Sequence, residues 1–215
     1  MKNLNYYLIT CLLACSTIAS AQSANPNTPT TGSSKEKWSG LRVSYKPITV
    51  ECVGEDDDLT GISVDYTYSS ILSENVPLFV EGGLGYQYSY DEESEEGIHA
   101  KMVIHSLNIP LKLGYKHHLD EKIYLTPYVG LNLRGNLSGT VNVREEYYGE
   151  EVEIDIFDDK EMGDAAFKRI QMGWQIGIGL NLGKIYAGVS YGGDFNEIVE
   201  DSQFKTTSIT LGINF

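Results

Sequence analysis

The chain has 215 residues, enough for one domain of ordinary size, and a formal net charge of −14 at pH 7. So acidic a chain is expected to repel nucleic acid, because binding to the phosphate backbone needs a basic surface. After residue 21 no apolar run reaches the roughly 18 residues that a membrane-spanning helix needs. The sequence therefore predicts no such helix.

The first 21 residues have the pattern of a secretory signal peptide. Lys2 gives a basic start, residues 7–14 form a short apolar run, and residues 19–21, Ala-Ser-Ala, fit the cleavage site. Residues 12–15, which end at Cys15, match the lipoprotein signal only loosely. A lipoprotein signal is the alternative to a cleaved secretory signal peptide. Cleavage after residue 21 leaves Cys52 as the single cysteine, which cannot form an internal disulfide or a four-thiolate zinc site.

Residues 22–37 contain almost nothing apolar to bury, so we interpret them as a flexible N-terminal tail. From residue 38 onward, apolar and polar residues alternate with a period of two, which is typical of strands with one apolar and one polar face. The predicted strands are 39–50, 60–71, 77–90, 100–117, 121–137, 168–182, 184–194 and 208–215. The sequence thus predicts a signal peptide (1–21), a tail (22–37) and an all-β domain (38–215).

The connections between these strands alternate strictly between short and long. Tight turns lie at 73–75, 118–120 and 183–184, and long links lie at 51–59, 91–99, 138–167 and 195–203. An up-and-down transmembrane barrel has short turns at one rim and long loops at the other, whereas a β-sandwich gives no reason for this alternation. We therefore predict an eight-stranded antiparallel up-and-down transmembrane β-barrel with short periplasmic turns and long acidic extracellular loops.

Acidic residues gather at one rim, because 24 of the 30 lie in the long links or directly beside them. Carboxylates are the ligands that Ca²⁺ and Mg²⁺ prefer, so 56–58 and 155–164 are candidate cation-binding segments. Their spacing fits no EF-hand, and solvated charge is the alternative. Alternating apolar residues within 141–157 predict a β-hairpin that extends above the membrane and offers an edge for strand addition by a partner.

The face rich in Leu, Ile, Val and aromatic residues must point outward, because Arg or Lys at the midplane of the lipid face costs about 2–4 kcal/mol. This phase places seven charged residues inward: Arg42, Asp65, Glu81, Lys112, Lys116, Arg134 and Arg169. An eight-stranded interior is just wide enough for side chains to fill it. We therefore expect a plugged lumen in which Asp65 and Glu81 pair with Arg134, Lys112 or Arg42. Pro110 and Pro127 interrupt the alternation, and we expect a bulge or local strain there.

The last predicted strand carries an outward apolar column that ends on the C-terminal Phe215. Together with the segments 107–116 (LNIPLKLGYK), 127–131 (PYVGL) and 177–180 (GIGL), it resembles the outer-membrane protein β-barrel family of small OmpX/OmpA-like and PorT-like "porin family" barrels. The resemblance covers the whole mature chain. It implies an outer-membrane location, contact with outer-membrane lipid, and recognition of Phe215 by the β-barrel assembly machinery. It implies no catalytic residues.

No Gly-rich phosphate loop, HExxH motif or GxSxG motif is present. His99, close to Ser94 in sequence, is the only histidine near the long links, and we interpret it as an ordinary loop residue. We therefore expect no enzyme and no catalytic, cofactor-binding or metal-binding residues. The favoured function is a structural or surface-interaction role through the acidic loops. The alternatives are a narrow porin-like channel for small solutes and a soluble lipocalin-like ligand carrier with apolar residues facing inward.

Overall fold

The computed structural model describes residues 36–51, 56–73, 76–95, 98–145, 151–163, 166–199 and 202–215; the predicted signal peptide and nearly all of the predicted tail lie outside these ranges. No helix in the described ranges is long and apolar enough to cross a membrane. The strands are β1 (Lys37–Glu51), β2 (Asp56–Ile71), β3 (Leu78–Glu95), β4 (Ile98–Tyr115), β5 (His117–Asp120), β6 (Ile123–Glu145), β7 (Glu151–Asp155), β8 (Ile170–Leu182), β9 (Ile185–Asp194) and β10 (Gln203–Asn214). One helical turn, α1 (Asp159–Met162), lies between β7 and β8.

Eight of the strands form a closed antiparallel ring. Its order is β1, β2, β3, β4, β6, β8, β9 and β10, and β10 pairs with β1 to complete the ring. At the join, Ser39 and Phe215 exchange backbone hydrogen bonds of 3.0 and 2.9 Å. The short strands β5 and β7 each pair with β6. The predicted eight-stranded up-and-down barrel is confirmed.

The outward face of the ring is apolar. Val43, Leu111, Val129 and Ile176 are 50, 51, 54 and 52% exposed, although each lies in the middle of a paired strand. The inward positions beside them hold mainly polar, charged and glycine residues, together with Pro110 and Tyr128. Burial in lipid rather than in a protein core accounts for this arrangement. The lipocalin-like alternative is therefore wrong, since it requires the apolar residues to face inward.

Glycines on the inward face make room for two large tyrosines. A Cβ atom at Gly177 would lie 2.6 Å from Cζ of Tyr128, and one at Gly179 would lie 2.5 Å from Cε2 of Tyr186. Carbon atoms do not approach so closely without displacing one another. The narrow interior therefore places each tyrosine ring over a position of the neighbouring strand β8 that carries no side chain.

The strands extend further than predicted at the end of the barrel opposite the chain termini. Much of the predicted links 51–59 and 91–99 is paired strand, because β2 begins at Asp56 and the β3–β4 pair reaches Glu95 and Ile98. Above a bilayer both faces of a strand meet water, so acidic side chains do not prevent pairing. The predicted hairpin within the third link is confirmed, since β7 pairs with the end of β6.

Each of the two prolines lies where a ladder is interrupted. Beside Pro110 the β3–β4 pairs skip from Gly82–Leu111 to Gly85–Asn108. Pro127 falls between the β4–β6 ladder and the β5–β6 ladder. The missing N–H of proline explains both gaps. The register shifts lie elsewhere, between His105 and Ser106 and between His118 and Asp120, so the expectation of a bulge at the prolines was wrong.

The inward placement of Arg169 is wrong. Arg169 is exposed and precedes β8 by one residue; its guanidinium donates a hydrogen bond of 3.2 Å to the carbonyl of Leu137 and lies 4.9 Å from the ring of Phe157. Strand β8 begins only at Ile170. The alternation of β8 therefore does not apply to residue 169, and the sequence assigned Arg169 to the inward face wrongly.

Gly179→Val should lower the free energy of unfolding by about 1–3 kcal/mol, because the new side chain overlaps Tyr186 and Thr126. Urea unfolding in lipid vesicles measures this change. Gly82→Val is the matched control: a Cβ atom at Gly82 meets nothing within 4 Å, so its effect should stay within about 0.5 kcal/mol. Equal destabilisation of the two variants would contradict the packing of Tyr186 against β8.

Candidate functional site

The lumen, meaning the space inside the eight-stranded ring, is the candidate functional site. We call the end with Ser39, Phe215 and the Gly183–Lys184 turn the turn end, and the opposite end the loop end. Buried polar side chains line the space between the two ends, including Ser44, Ser63 and Gln87. They come from alternate positions along the strands, as the period-two pattern requires.

Glu81 and Lys112 form an ion pair across the β3–β4 ladder, as expected from the sequence. The Lys112 Nζ–Glu81 Oε1 distance is 2.9 Å; Glu81 is buried and the Lys112 side chain is 13% exposed. Ser69 donates a second hydrogen bond of 2.8 Å to the same carboxylate, and Lys112 Nζ lies 4.8 Å from the ring centre of Tyr128. The carboxylate and the ammonium are each held by more than one group, which a pair removed from water requires.

Arg42 is held by neutral partners. Its guanidinium donates 2.5 and 3.2 Å hydrogen bonds to Oδ1 of Asn214 and the carbonyl of Ile213, and lies 4.0 Å from the ring centre of Tyr186. Stacking of a guanidinium on an aromatic face is favourable and stronger out of water. The expected pairing with Asp65 does not form, although the two residues are opposite each other in the β1–β2 register.

The partner of Arg134 was missed in the sequence. Arg134 forms an ion pair with Asp194 and donates a 3.1 Å hydrogen bond to Oε1 of Gln171. Asp194 is the last residue of β9 and faces inward, whereas the sequence placed it among the acids of the loop rim. The alternation of β9 through Tyr186, which is buried, assigns residue 194 to the inward side and was the available signal.

Asp65 takes no part in the ion pairs of the described residues. Its carboxylate accepts a 2.7 Å hydrogen bond from Ser63 and borders a cavity of about 90 Å³ in the lumen. Lys46, Asn108 and Arg134 also line this cavity. The expectation that Asp65 pairs with Arg134, Lys112 or Arg42 was therefore wrong.

A cluster of buried apolar residues lies at the loop end, and we call it the loop-end cluster. The ring strands and the connections supply its members: Ile48, Val50, Leu59, Ile104, Ile156, Phe157, Ile198 and Phe204. Backbone hydrogen bonds hold the connections in place, among them Phe167 to the Ile156 carbonyl at 2.8 Å and Lys168 to the Ile198 carbonyl at 2.7 Å. Burial of each large apolar side chain contributes about 1.5–3 kcal/mol.

Aromatic and charged residues lie across the lumen at the turn end. The rings of Trp38 and Phe79 are 5.6 Å apart, and Lys116 Nζ lies 4.3 Å from the ring centre of Tyr124. Lys116 also forms an ion pair of 2.6 Å with Glu36, just before β1. Cation–π contact and ion pairing together fix the ammonium group among the rings.

The exposed surface at the loop end consists of paired strands. Here β3, β4, β6 and β7 form a sheet, and β7 has β6 as its one strand partner among the described residues. On the outward side of this sheet Ser94 Oγ lies 2.6 Å from Nδ1 of His99. Both residues are exposed. A nucleophile–base pair also needs a group that orients the base, and Ser94 is the one side-chain hydrogen-bond partner that His99 has among the described residues.

The candidate cation-binding segments do not converge on one site. Within the described residues, no group of three or more His, Cys, Asp or Glu side chains is placed to hold a metal ion. Residues 56–58 begin β2, where Asp58 accepts a 2.9 Å hydrogen bond from Thr49. Residues 155–163 run from the end of β7 through α1, and residue 164 lies outside the described ranges.

Lys112→Met should lower the free energy of unfolding by about 3–5 kcal/mol, because it leaves Glu81 as a buried charge without its cation. The double variant Glu81→Leu with Lys112→Met should recover most of this loss, since replacing both partners removes the uncompensated charge. Urea unfolding of both variants and of Glu81→Leu completes a double-mutant cycle. Strictly additive effects would contradict an interaction between the two groups.

Comparisons with known proteins identify the fold family. The sequence matches the family described as "Outer membrane protein beta-barrel domain" over residues 9–215. No curated protein matches the chain. Among solved structures it is similar to Ail, the attachment invasion locus protein of Yersinia pestis, crystallised with a heparin analogue: TM-score 0.51 and 15% identity, covering 84% of this chain and 99% of that one.

Other similar structures are Neisserial surface protein A (TM-score 0.47, 10% identity, covering 82% of this chain and 95% of that one) and the outer-membrane enzyme PagL (TM-score 0.43, 17% identity, covering 80% and 98%). Fold alone does not decide catalysis, so the expectation of no enzyme stays a prediction. The family match covers 207 of the 215 residues, 9–215. The closed ring and its outward apolar face agree with this match. The chain belongs to the outer membrane protein β-barrel family.

Proposed function

We propose that this protein is an outer-membrane barrel with a surface-interaction role, whose lumen does not conduct and whose loop-end sheet contacts partners. The observation that carries the proposal is the loop-end cluster, which lies directly above the polar lumen. Water and ions need a hydrated path, and eight buried apolar side chains offer none. The ion pairs and stacked cations below them narrow the interior further.

The narrow-channel alternative requires a continuous hydrated path. Three successive layers stand against it: the loop-end cluster, the Arg134–Asp194 pair below it, and the Trp38–Phe79 contact at the turn end. Each layer joins side chains from different strands. Opening the lumen would need all three to separate, which supports a structural role for the interior.

The surface role rests on the open edge of β7. Ile156, just beyond β7, donates to the carbonyl of Gly139 at 3.2 Å. Hydrogen-bonded and non-hydrogen-bonded pairs alternate in an antiparallel ladder, so Ile154 and Val152 bond to β6 while the N–H of Glu153 points to the open edge. An edge of this kind accepts an added strand. Its acidic side chains favour a basic partner, and the acidic residues beside it are proposed contacts for divalent cations.

Export and assembly belong to the same proposal. The signal peptide delivers the chain across the inner membrane, and Phe215 is recognised by the assembly machinery. The side chain of Phe215 is 65% exposed on the outward face, 6.4 Å from the ring of Tyr66, while its backbone joins β10 to Ser39. An accessible terminal ring on the strand that closes the barrel supports this role, and the outward apolar face supports contact with lipid.

The full-length barrel should show no conductance steps in planar bilayers, under conditions where an open porin conducts. The double variant Ile156→Ser with Phe157→Ser should admit brief openings, because it introduces hydroxyl groups into the loop-end cluster. Val152→Ser, at an exposed site on β7, is the control and should stay silent. Steady conductance of the unaltered barrel would contradict this proposal and support the narrow-channel alternative.

The edge of β7 is tested with a synthetic peptide of alternating Lys and Val, followed by fluorescence anisotropy on the barrel in lipid nanodiscs. Glu153→Pro should weaken binding by about tenfold, because it removes the N–H that faces the open edge. Glu153→Gln removes the charge and keeps the N–H, so its smaller loss separates charge from backbone pairing. Equal binding to the unaltered protein and Glu153→Pro would exclude strand addition at this edge.

A further inference from the structure

Strands β2 and β3 separate at the loop end. The ladder between them stops at the Thr60–Tyr90 pair, although β2 begins at Asp56 and β3 continues to Glu95. Beyond that pair β2 stays paired with β1, and β3 stays paired with β4. Among the described residues, each strand therefore has one paired side and one open edge. We call the space between these two open edges the β2–β3 gap.

Like charges explain where the ladder ends. Its register, continued beyond Thr60–Tyr90, would place Asp58 opposite Glu92 and Asp57 opposite Glu93, and all four side chains are exposed. Like charges directly opposite each other destabilise an antiparallel pair. On their paired sides the same four acids lie opposite neutral or basic residues: Thr49, Val50, Lys101 and Ala100. Pairing therefore persists on those sides and ends between β2 and β3.

The backbone groups that face the gap follow from the ladder. The N–H of Leu72 donates to the carbonyl of Leu78 at 2.8 Å, in register with the β2–β3 pairs, so even-numbered residues of the two strands bond across this ladder. Neighbouring residues of a strand bond to opposite sides, because the two kinds of pair alternate. The N–H and carbonyl groups of Glu92 and Ser94 on β3, and of Asp58 on β2, therefore face the gap.

The gap carries an excess of negative charge. At least five carboxylates lie on its two edges: Asp57, Asp58, Asp91, Glu92 and Glu93. Among the ion pairs of the described residues, one cation reaches them, since Lys101 Nζ lies 3.8 Å from Glu92. Both of these side chains are largely exposed, and exposed pairs contribute little. Four of the five carboxylates thus have no cation in the described part of the chain.

We propose that the β2–β3 gap binds an extended basic segment of a partner protein, which adds to the open edge of β3 as a strand. The backbone of β3 supplies the hydrogen bonds, and carboxylates of both edges contact Lys or Arg side chains of the segment. Acids lie on both faces of the edges: outward are Asp58 and Glu92, and inward are Asp57, Asp91 and Glu93. Basic side chains on either face of the added strand therefore meet a carboxylate.

This proposal rests on the surface role proposed above and gives that role a second site. The loop-end sheet runs in the order β3, β4, β6 and β7, so the gap and the edge of β7 lie at its opposite sides. The two edges can therefore be altered separately. Loss of one site leaves the backbone pairing of the other unchanged.

The test measures the binding of a synthetic peptide of alternating Lys and Thr to the full-length barrel, by fluorescence anisotropy in nanodiscs of zwitterionic lipid. A peptide of alternating Glu and Thr is the matched probe of opposite charge. We expect saturable binding of the Lys peptide that weakens at high salt, because exposed charges are screened. The Glu peptide should bind at least tenfold more weakly. Equal binding of the two peptides, or no binding of the Lys peptide, would overturn the proposal.

Variants of each edge assign the site. Glu92→Pro removes an N–H that faces the gap and no hydrogen bond to β4, so it should weaken binding about tenfold. Glu92→Gln keeps the N–H and should lose less. Asp57→Asn with Asp58→Asn leaves the backbone of β3 unaltered and should also weaken binding, because it removes two carboxylates from the facing edge. Glu153→Pro, at the edge of β7, is the control and should bind as the unaltered protein does.

The outcomes separate this proposal from the one for β7. Loss of binding in Glu153→Pro together with full binding in Glu92→Pro would overturn the β2–β3 gap and leave the β7 edge in place. Equal affinities of Glu92→Pro and Glu92→Gln would show attraction between charges without backbone pairing, and would exclude strand addition to β3.

Discussion

The fold depends on one constraint: inside a bilayer no water is available to bond with the backbone. Every strand that crosses must therefore pair on both sides, and an open sheet edge is excluded at that depth. The ring meets this requirement by pairing β10 with β1 and β4 with β6, so that no crossing strand is left at an edge. The exchange of hydrogen bonds between Ser39 and Phe215 completes the join at the turn end.

Closure determines what the interior can contain. The interior of an eight-stranded ring is only just wide enough for side chains. A large inward side chain therefore needs a glycine on the strand beside it. Tyr128 and Tyr186 occupy the space above Gly177 and Gly179, and the same rings receive Lys112 and Arg42 on their faces. Aromatic rings thus supply both volume and a partner for cations that lipid would not accept. The polar lumen and the apolar exterior are two results of one alternation.

The sequence predicted this alternation correctly because its period is two, and one wrong step would have exposed every charge to lipid. Individual partners were harder to predict. Glu81 and Lys112 are direct neighbours across a ladder, whereas Arg134 reaches Asp194 from a strand that is not adjacent to β9 in the ring. Pairs across the lumen depend on the height of each residue along the barrel. Strand phase tells which face a residue lies on but not its height, which is why the Arg134–Asp194 pair was missed. Asp65 lies opposite Arg42 in the β1–β2 ladder and still does not pair with it, because that guanidinium binds Asn214 and stacks on Tyr186.

The same reasoning explains how the loop-end cluster escaped notice. Along β1 the inward positions are Arg42, Ser44, Lys46, Ile48 and Val50, so the inward face changes from polar to apolar partway along one strand. Within lipid the inward face is the polar one, and beyond lipid both faces meet water, so neither environment alone explains buried apolar residues on that side. When the inward positions of one strand change from polar to apolar, other parts of the protein must cover the apolar ones. Residues from the connections after β7 and β9 do so. The sequence shows this change at Ile48. The many acidic residues that follow it led instead to the interpretation of a solvated loop. Charged residues in a segment indicate that part of it is in contact with water. The phase of its apolar residues indicates which face of the segment packs against protein.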